Sequence, residues 1–142
     1  MSSVSHPWMA QDKQGVTVRP IQAHDVGLID AMHGRLSPDS LYDRYQQPRS
    51  PTQGEIAAVC RMSPEKGAGF VATVPQQGDR IVGLAYYLRE AQAQQPTAEP
   101  GILIEDQLQG QGIGRTLWQQ MHYHAQANQI RCLRVWFHTV EW

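Results

Sequence analysis

The sequence predicts an α+β protein whose sheet is mixed, mostly antiparallel and flanked by helices. Three observations lead to this fold class. The first third carries helical periods, the middle carries short apolar runs joined by a turn, and the last third reads strand, glycine-rich turn, helix, strand. The predicted order β, α, α, β, β, β, α, β therefore ends in a β-α-β crossover.

Length and composition limit the possible classes of protein. At 142 residues, with 41% hydrophobic and 18% charged residues, the chain suits one globular domain. The formal net charge of −1 gives no reason to expect nucleic acid or an anionic membrane as a partner. No apolar run approaches the ~20 residues of a membrane-spanning helix.

The N-terminal residues and the cysteines indicate a cytoplasmic protein. Residues 1–10 lack the basic start and apolar stretch of a signal peptide. Cys60 and Cys132 lie far apart and fit no metal-ligand spacing, so we expect two reduced thiols and no bound metal.

The first part of the chain combines a loose arm, a strand and a helix. Residues 1–14 are polar and aperiodic, so the domain is predicted to span residues 15–142. Residues 16–20 are predicted to form a short strand closed by proline. A helix should follow with Asp25 as its N-cap and with three residues spaced for one buried face, Ile29, Met32 and Leu36.

Two further helices are predicted before the main strands. Ser37 can accept hydrogen bonds from free helix amides, and Pro38 suits the first helical position. This helix should run to about Tyr45, and residues 54–62 form a weaker helical stretch.

The middle of the chain reads as a hairpin inside a sheet. Residues 69–74 and 80–88 are apolar runs on either side of a turn at 76–79. The second run is apolar on both side-chain parities, which is typical of an interior strand. Residues 90–98 are predicted to form a polar loop.

The last third carries the residues that indicate function. A strand over 101–106 leads into glycines at alternate positions, and a helix over 112–128 follows them. A last strand is predicted over 131–139. The helix should face the sheet with a stripe of four residues, Ile113, Leu117, Met121 and Ala125.

The glycine-rich turn has the properties of an anion-binding site. Glycine lets the backbone turn tightly and come close to a ligand. The first amides of a helix have no internal acceptors, and the helix dipole places partial positive charge there. A pyrophosphate suits such a site, and Arg115 adds a cation at the same end.

Two common phosphate-binding motifs do not fit this turn. A dinucleotide fingerprint needs a third glycine three residues after the second, and that position holds Arg115 or Leu117, depending on the starting glycine. A mononucleotide loop needs a lysine after its last glycine and a glycine where Gln109 stands.

A third motif does fit. Gln109-x-x-Gly112-x-Gly114, after a strand and opening a helix, resembles the coenzyme A signature of the GNAT acetyltransferases, Gln/Arg-x-x-Gly-x-Gly/Ala. The resemblance covers roughly residues 16–139 and implies the acyl-CoA N-acyltransferase fold, with acetyl-CoA as co-substrate in a V-shaped gap between the last two strands. It implies that the pantetheine arm pairs with Ile102, Leu103 and Ile104, and that the pyrophosphate lies on the turn formed by Gln109, Gly110, Gln111, Gly112, Ile113, Gly114 and Arg115.

Two more implications concern the acceptor and the state of assembly. Residues 36–45 are similar to a segment of bacterial protein-lysine acetyltransferases of the Pat type, which favours a protein lysine. Family members continue with another helix and two strands, so the resemblance implies a C-terminally truncated domain. An open strand edge near Trp136 predicts a homodimer or other oligomer.

The resemblance implies acetyl transfer to a primary amine of a protein or small molecule. An amine with a pKa of about 10.4 must lose a proton before it attacks, so a carboxylate is needed as general base. Glu99 is the first candidate because several family members place a catalytic glutamate at the start of this strand, although Pro100-Gly101 could displace it. Glu105 shares its parity and is the second candidate. The alternative function is a catalytically weak acyl-CoA-binding sensor.

Other conspicuous side chains have weaker claims to a function. His122 and His124 lie two apart on a helix, so they face different ways and form no metal pair. His138 could border the acceptor site, whereas Tyr86 and Tyr87 are predicted to be core residues.

Overall fold

The computed structural model describes residues 10–11, 15–47, 49–74, 77–91 and 93–135. Within these ranges a six-stranded sheet follows the order of the chain, so that each strand pairs with the next. The first four pairings are antiparallel and the last is parallel. The predicted α+β class, with a mixed and mostly antiparallel sheet, is confirmed.

The elements agree with the predicted order, except that a short strand is added at the start and the weaker helical stretch predicted over 54–62 forms a full third helix. The added strand falls within residues 1–14, the predicted loose arm, whose other residues lie outside the described ranges. The strands are β1 (Ala10–Gln11), β2 (Thr17–Pro20), β3 (Gly67–Val74), β4 (Arg80–Arg89), β5 (Thr97–Ile104) and β6 (Cys132–Leu133), and the α-helices are α1 (Val26–His33), α2 (Pro38–Tyr45), α3 (Gln53–Cys60) and α4 (Ile113–Ala127).

Helices cover both faces of the sheet. On the α4 face, the predicted stripe is buried against β3 and β4, with each member at most 1% exposed: Ile113, Leu117, Met121 and Ala125. The opposite face of the sheet is covered by α1, α2 and α3, and we call it the α1–α3 face. Its apolar side chains include Ile29, Met32, Leu41 and Ile56. Because β4 lies between the two cores, residues 81–87 are all buried, as predicted for an interior strand.

The start of α1 differs from the prediction. The Asp25 side chain does not cap this helix. Its carboxylate instead accepts two hydrogen bonds from Arg19, at 2.8 and 2.9 Å, and one from the Gln22 amide at 2.7 Å. Burial alone would raise the pKa of Asp25, but Arg19 and the Gln22 amide outweigh it and hold the pKa below its usual value. Asp25 thus fastens β2 to the turn before α1.

The ends of the three N-terminal helices are set by local side chains. α1 ends at His33, before Leu36, which is still buried beyond the helix end. Ser37 caps α2 as predicted, accepting from the Ser40 amide at 3.1 Å. The third helix begins one residue before its predicted start because Thr52 and Glu55 form a reciprocal capping box.

The fifth strand begins earlier than predicted. It starts at Thr97 instead of Gly101, which removes part of the polar loop predicted over 90–98. The reason is the orientation of Pro100. Its nitrogen faces away from β4, so the antiparallel ladder loses no donor and the strand continues through the proline.

The sixth strand is described only at its beginning. Cys132 and Leu133 pair in parallel with Thr97 and Ala98. The rest of the strand predicted over 131–139, from residue 136 onward, lies outside the described residues, as do Trp136 and His138.

Candidate functional site

The turn between β5 and α4 has a backbone that only glycine adopts readily. We call residues 109–115 the glycine loop. Gly110 has a φ of 79° and Gly112 a φ of 91°, both in the left-handed region. A Cβ atom added at either position would have no heavy atom within 4 Å, so both residues border open space. The glycines are therefore required by conformation, and the space above them is free for a ligand.

The main-chain amides of the glycine loop are available for such a ligand. The first hydrogen bond of α4 runs from the Thr116 amide to the Gly112 carbonyl at 3.1 Å. The amides of residues 110–115 donate to no acceptor within the described residues. These groups lie at the N-terminus of a 15-residue helix, where the dipole adds positive potential. The geometry therefore suits a phosphate or pyrophosphate.

The glycine loop is held by contacts to β5 and to the first turn of α2. The Gln109 side-chain amide donates to the Ile104 carbonyl at 3.0 Å and to the Ser40 hydroxyl at 3.4 Å. Asp106, just before the loop, accepts from the Ser37 amide at 3.1 Å. This contact with Ser37 lowers the pKa of Asp106. The sequence segment that starts α2 thereby fixes the position of the loop.

The main chain of β5 presents alternate residues to its open edge. Glu105 donates its amide to the Val82 carbonyl at 2.9 Å, which sets the phase of the ladder between β4 and β5. Leu103 therefore directs its main-chain groups toward β4, opposite Leu84, whereas Ile102 and Ile104 direct theirs away from β4. Of the three residues predicted to pair with a ligand, two offer main-chain groups and the third offers none.

The edge beside Ile102 carries no partner strand among the residues that the structure describes. β6 pairs with β5 at Thr97 and Ala98, and the Arg134 amide still donates to the Ala98 carbonyl at 2.8 Å. Beyond that point the main chain of Ile102 has no strand partner on this side among the described residues.

The two predicted bases have very different surroundings. Glu99 is exposed on β5, and its side chain lies on the α1–α3 face, as do those of Gly101 and Leu103. Pro100 and Gly101 do not displace it, since the strand runs through them. Glu105 is only 3% exposed and contacts both Arg35, at 3.1 Å, and Arg80.

Glu105 has the contacts of a structural residue. Its carboxylate joins β5 to Arg80 at the start of β4 and to Arg35 between α1 and α2. Arg35 also donates to the Ile81 carbonyl at 2.9 Å. Because this carboxylate is 3% exposed and engaged by two guanidinium groups, a substrate amine has little access to it.

The α1–α3 face also carries a cavity and a buried hydrogen-bonded pair. The cavity has a volume of about 150 Å³ and lies between α1, α3 and β4. His33 is buried in its wall, where Nδ1 donates to the Ile29 carbonyl at 2.8 Å, so Nε2 must accept from the Tyr45 hydroxyl at 2.7 Å. Burial lowers the pKa of His33, which favours this neutral form. Tyr86 lines the same cavity.

The comparison with known families decides which family this site belongs to. The sequence profile of the acetyltransferase (GNAT) family matches residues 34–142, which include the glycine loop, β5 and α4. The chain belongs to the GNAT acetyltransferase family. The resemblance stated from the glycine motif is thereby confirmed, and the family is one of acetyltransferases.

Solved structures show the GNAT fold over most of the chain. The GNAT domain of PAT from S. lividans is 23% identical, with a TM-score of 0.78, over 92% of this chain and 80% of that chain. An aminoglycoside acetyltransferase from an uncultured soil metagenomic sample, in complex with sisomicin, is 16% identical, with a TM-score of 0.63 over 87% and 78%. A ribosomal-protein-alanine N-acetyltransferase from Brucella melitensis biovar Abortus 2308 is 14% identical, with a TM-score of 0.61 over 85% and 80%. No curated protein sequence matches the chain.

Neither of the two described helix histidines belongs to the open side of this GNAT site. His122 stacks on Trp118, whereas His124 contacts Phe70 and accepts or donates a 3.0 Å hydrogen bond with Tyr87. In the described ranges no group of three or more metal-ligating side chains is close enough to hold an ion. None of the helices described here has the length and apolar character needed to cross a bilayer.

Sequence reasoning missed two residues of the α1–α3 face. Tyr86 was predicted to be core, and it is buried, but it also lines the cavity and contacts Arg44. Arg44 was not singled out at all, although it lies over the rings of Tyr45 and Tyr86. The available signal was a basic residue in the last turn of a helix, followed by tyrosine, and such a pattern also occurs on ordinary surfaces.

Proposed function

We propose that this GNAT protein is an N-acetyltransferase that uses acetyl-CoA to acetylate a primary amine by direct attack with general base assistance. The observation that carries the proposal is the row of unpaired amides at residues 110–115, next to the open edge of β5. Anion-binding amides and a strand edge that can pair with an amide-containing chain suit the two parts of coenzyme A.

The cofactor contacts are proposed residue by residue. The amides of Gly110, Gln111, Gly112, Ile113, Gly114 and Arg115 would hold the pyrophosphate, and Gln109 would hold the loop in place. Main-chain groups of Ile102 and Ile104 would pair with the pantetheine arm. The main-chain groups of Leu103 face β4, so Leu103 would contribute only by holding Ile102 and Ile104 in position.

The chemistry needs few groups from the protein. Glu99 would take the proton of the ammonium group, directly or through water, because its carboxylate is exposed on the α1–α3 face of β5. The amine nitrogen would then bond to the acetyl carbon, and the thiolate of coenzyme A would leave. A main-chain amide at the open edge of β5 could stabilise the tetrahedral oxyanion. Glu105 is the second candidate base and is disfavoured by its two arginine contacts.

The acceptor is proposed only as a primary amine. One structural neighbour is named as an aminoglycoside acetyltransferase and another as a ribosomal-protein-alanine N-acetyltransferase, so related folds take small molecules and proteins. The likeness to the GNAT domain of PAT keeps a protein lysine among the candidates.

Two measurements test the proposal. Calorimetric titration with acetyl-CoA should show stoichiometric binding, and free thiol should be released when an amine is added. Binding without release above background for any amine would favour the acyl-CoA-binding sensor instead. An absence of both heat and thermal shift would overturn the proposal, because the glycine loop would then bind no diphosphate.

The assembly and location of the protein are also part of the proposal. The sheet ends in short strands within the described residues, and an open edge can pair with a second copy, which supports a homodimer. A monomeric sedimentation profile at micromolar concentration would contradict it. A cytoplasmic location follows from the sequence argument and is testable by fractionation.

A further inference from the structure

An arginine on the α1–α3 face lies against the strand that carries the proposed base. Arg44 is in the last turn of α2, and its guanidinium reaches over Gly101 of β5. A Cβ atom on Gly101 would lie 2.9 Å from Cζ of Arg44 and 2.8 Å from Cζ of Tyr86, so no other residue type fits there without displacing the arginine. The guanidinium can therefore lie this close to β5 only because residue 101 is a glycine.

The guanidinium lies on aromatic rings and has no anionic partner. Its Cζ is 5.1 Å from the ring centroid of Tyr45 and 5.0 Å from that of Tyr86. Within the described residues Arg44 makes no hydrogen bond or ion pair, and its Nε is buried without an acceptor. Desolvation lowers its pKa, although Tyr45 and Glu99 act in the opposite direction. A partly buried cation with five free donors is costly unless an anion binds to it.

Glu99 is an acid whose charge acts on Arg44 without pairing with it. Glu99 stands two residues before Gly101 on the same face of β5, and its charge favours the ionised form of Arg44. The two groups do not form an ion pair within 4 Å. A ligand with an ammonium group and a carboxylate can therefore contact both residues at once. The cavity of about 150 Å³ shares Tyr45 and Tyr86 with Arg44 and can accept an apolar part of the same ligand.

We propose that Arg44 binds a carboxylate of the acceptor, and hence that the acceptor is an amine that carries a carboxylate a few bonds from its nitrogen. The inference rests on the proposed function, because it requires Glu99 to take the proton from the ammonium group of the same acceptor molecule. Arg44 forms two parallel hydrogen bonds with the carboxylate, which fixes the amine near Glu99 on the α1–α3 face of β5. A free amino acid and a peptide lysine beside an acidic residue both present this chemistry.

The decisive experiment compares acids with their neutral amides and needs no variant. Thiol release from acetyl-CoA is measured with glycine, β-alanine, 4-aminobutyrate and 5-aminovalerate, each beside its carboxamide. A second arm compares lysine peptides that carry glutamate or glutamine next to the lysine. We expect kcat/KM to be about 10- to 100-fold higher for the acid of the correct length, since a hydrogen bond to a charged group has this effect. A preference in the first arm identifies a small molecule, and one in the second identifies a peptide.

Variants assign the preference to Arg44. In Arg44→Gln the ratio between acid and amide should fall to near one, mainly through KM, and Arg44→Lys should restore part of it because the charge remains. Arg61→Gln, which removes an exposed arginine at the end of α3, is the matched control and should keep the ratio. Thermal melting of each variant shows whether it is folded.

The outcomes separate this inference from the proposed function. Acetyl-CoA binding and thiol release without any preference for the acid would overturn the inference alone. An unchanged ratio in folded Arg44→Gln would also overturn the inference alone. Acetyl-CoA binding without thiol release in either arm would overturn the inference, and it would overturn the proposed acetyl transfer as well if no other amine supported release. An absence of acetyl-CoA binding would overturn both.

Discussion

The glycine loop follows the end of β5, the α1–α3 face covers one face of the sheet, and the chain builds the two regions in different ways. The loop is one continuous segment whose ligand-binding groups are main-chain amides. The α1–α3 face takes Arg44 and Tyr45 from α2, Tyr86 from β4 and Glu99 from β5. The loop therefore depends on local conformation, whereas the face depends on packing between distant segments. Substitutions in the two regions should have different effects.

The largest effect should come from Glu99. Glu99→Gln removes the proposed base but no packing contact, because the side chain is exposed. We expect kcat to fall about 100- to 10,000-fold, with unchanged acetyl-CoA affinity and melting temperature. Stopped-time thiol assays and calorimetry measure the two properties, and Glu65→Gln, at another exposed glutamate, is the control. A kcat within a factor of three of the parent would remove Glu99 from the mechanism.

For Glu105, directly after β5, we expect the opposite result: a loss of stability with little change in activity. Glu105→Gln leaves Arg35 and Arg80 without their carboxylate, so we expect the free energy of unfolding to fall by about 1–3 kcal/mol. The lower part of this range is favoured because both arginines are about one-third exposed and screened by water. Urea denaturation measures it. Activity per folded molecule should remain close to the parent, and a loss comparable to that of Glu99→Gln would identify Glu105 as the base.

These two glutamates illustrate what the sequence could and could not predict. Counted back from the glycine motif, both glutamates point to the same side of their strand. The sequence therefore distinguishes them only by the position at which several family members place a catalytic glutamate. The arginines that neutralise Glu105 come from positions 25 and 70 residues away, Arg80 and Arg35, so only the folded structure shows them. The glycine loop and the stripe of α4 were predictable because both are local patterns. Arg44 was not, since its role depends on Gly101 and Tyr86 lying beneath it.

In the glycine loop, two neighbouring glycines should respond differently. Gly112→Ala forces a side chain into a φ of 91°, which costs about 1–2 kcal/mol, so we expect acetyl-CoA to bind about 10-fold more weakly. Gly114→Ala places its Cβ 3.7 Å from Ile104, an ordinary contact, and should bind nearly as the parent does. Calorimetric dissociation constants provide the comparison. Equal losses at both positions would mean that close approach, and not backbone conformation, is what the motif requires.

The smallest effect should be on the pH dependence of stability. Burial lowers the pKa of His33 on the α1–α3 face and of His124 on the α4 face. Below the unfolded pKa of about 6.5, the unfolded chain binds more protons than the folded one. The free energy of unfolding therefore falls as the pH decreases, whereas above that value the contribution of the neutral histidines is fully present. Each histidine contributes at most about 1.4 kcal/mol per pH unit.

Urea unfolding between pH 5 and 8 tests this linkage. His33→Gln and His124→Gln should each reduce the slope of unfolding free energy against pH, and the double variant should reduce it further. A free energy of unfolding that increases in the parent as the pH falls would show that these rings are protonated in the folded protein.

The contact between Gln109 and Ile104 limits how anything can lie along β5. Ile104 has its carbonyl occupied by the Gln109 amide, and Pro100 has no N–H to offer. From Pro100 to Ile104, and within the described residues, the edge presents the acceptor of Pro100, the donor and acceptor of Ile102, and then the donor of Ile104. A chain of amides that slides by one repeat in either direction would meet a position without a partner. The proposed coenzyme would therefore have a single alignment on this edge, so the main chain alone would set the distance between its diphosphate and its reacting end.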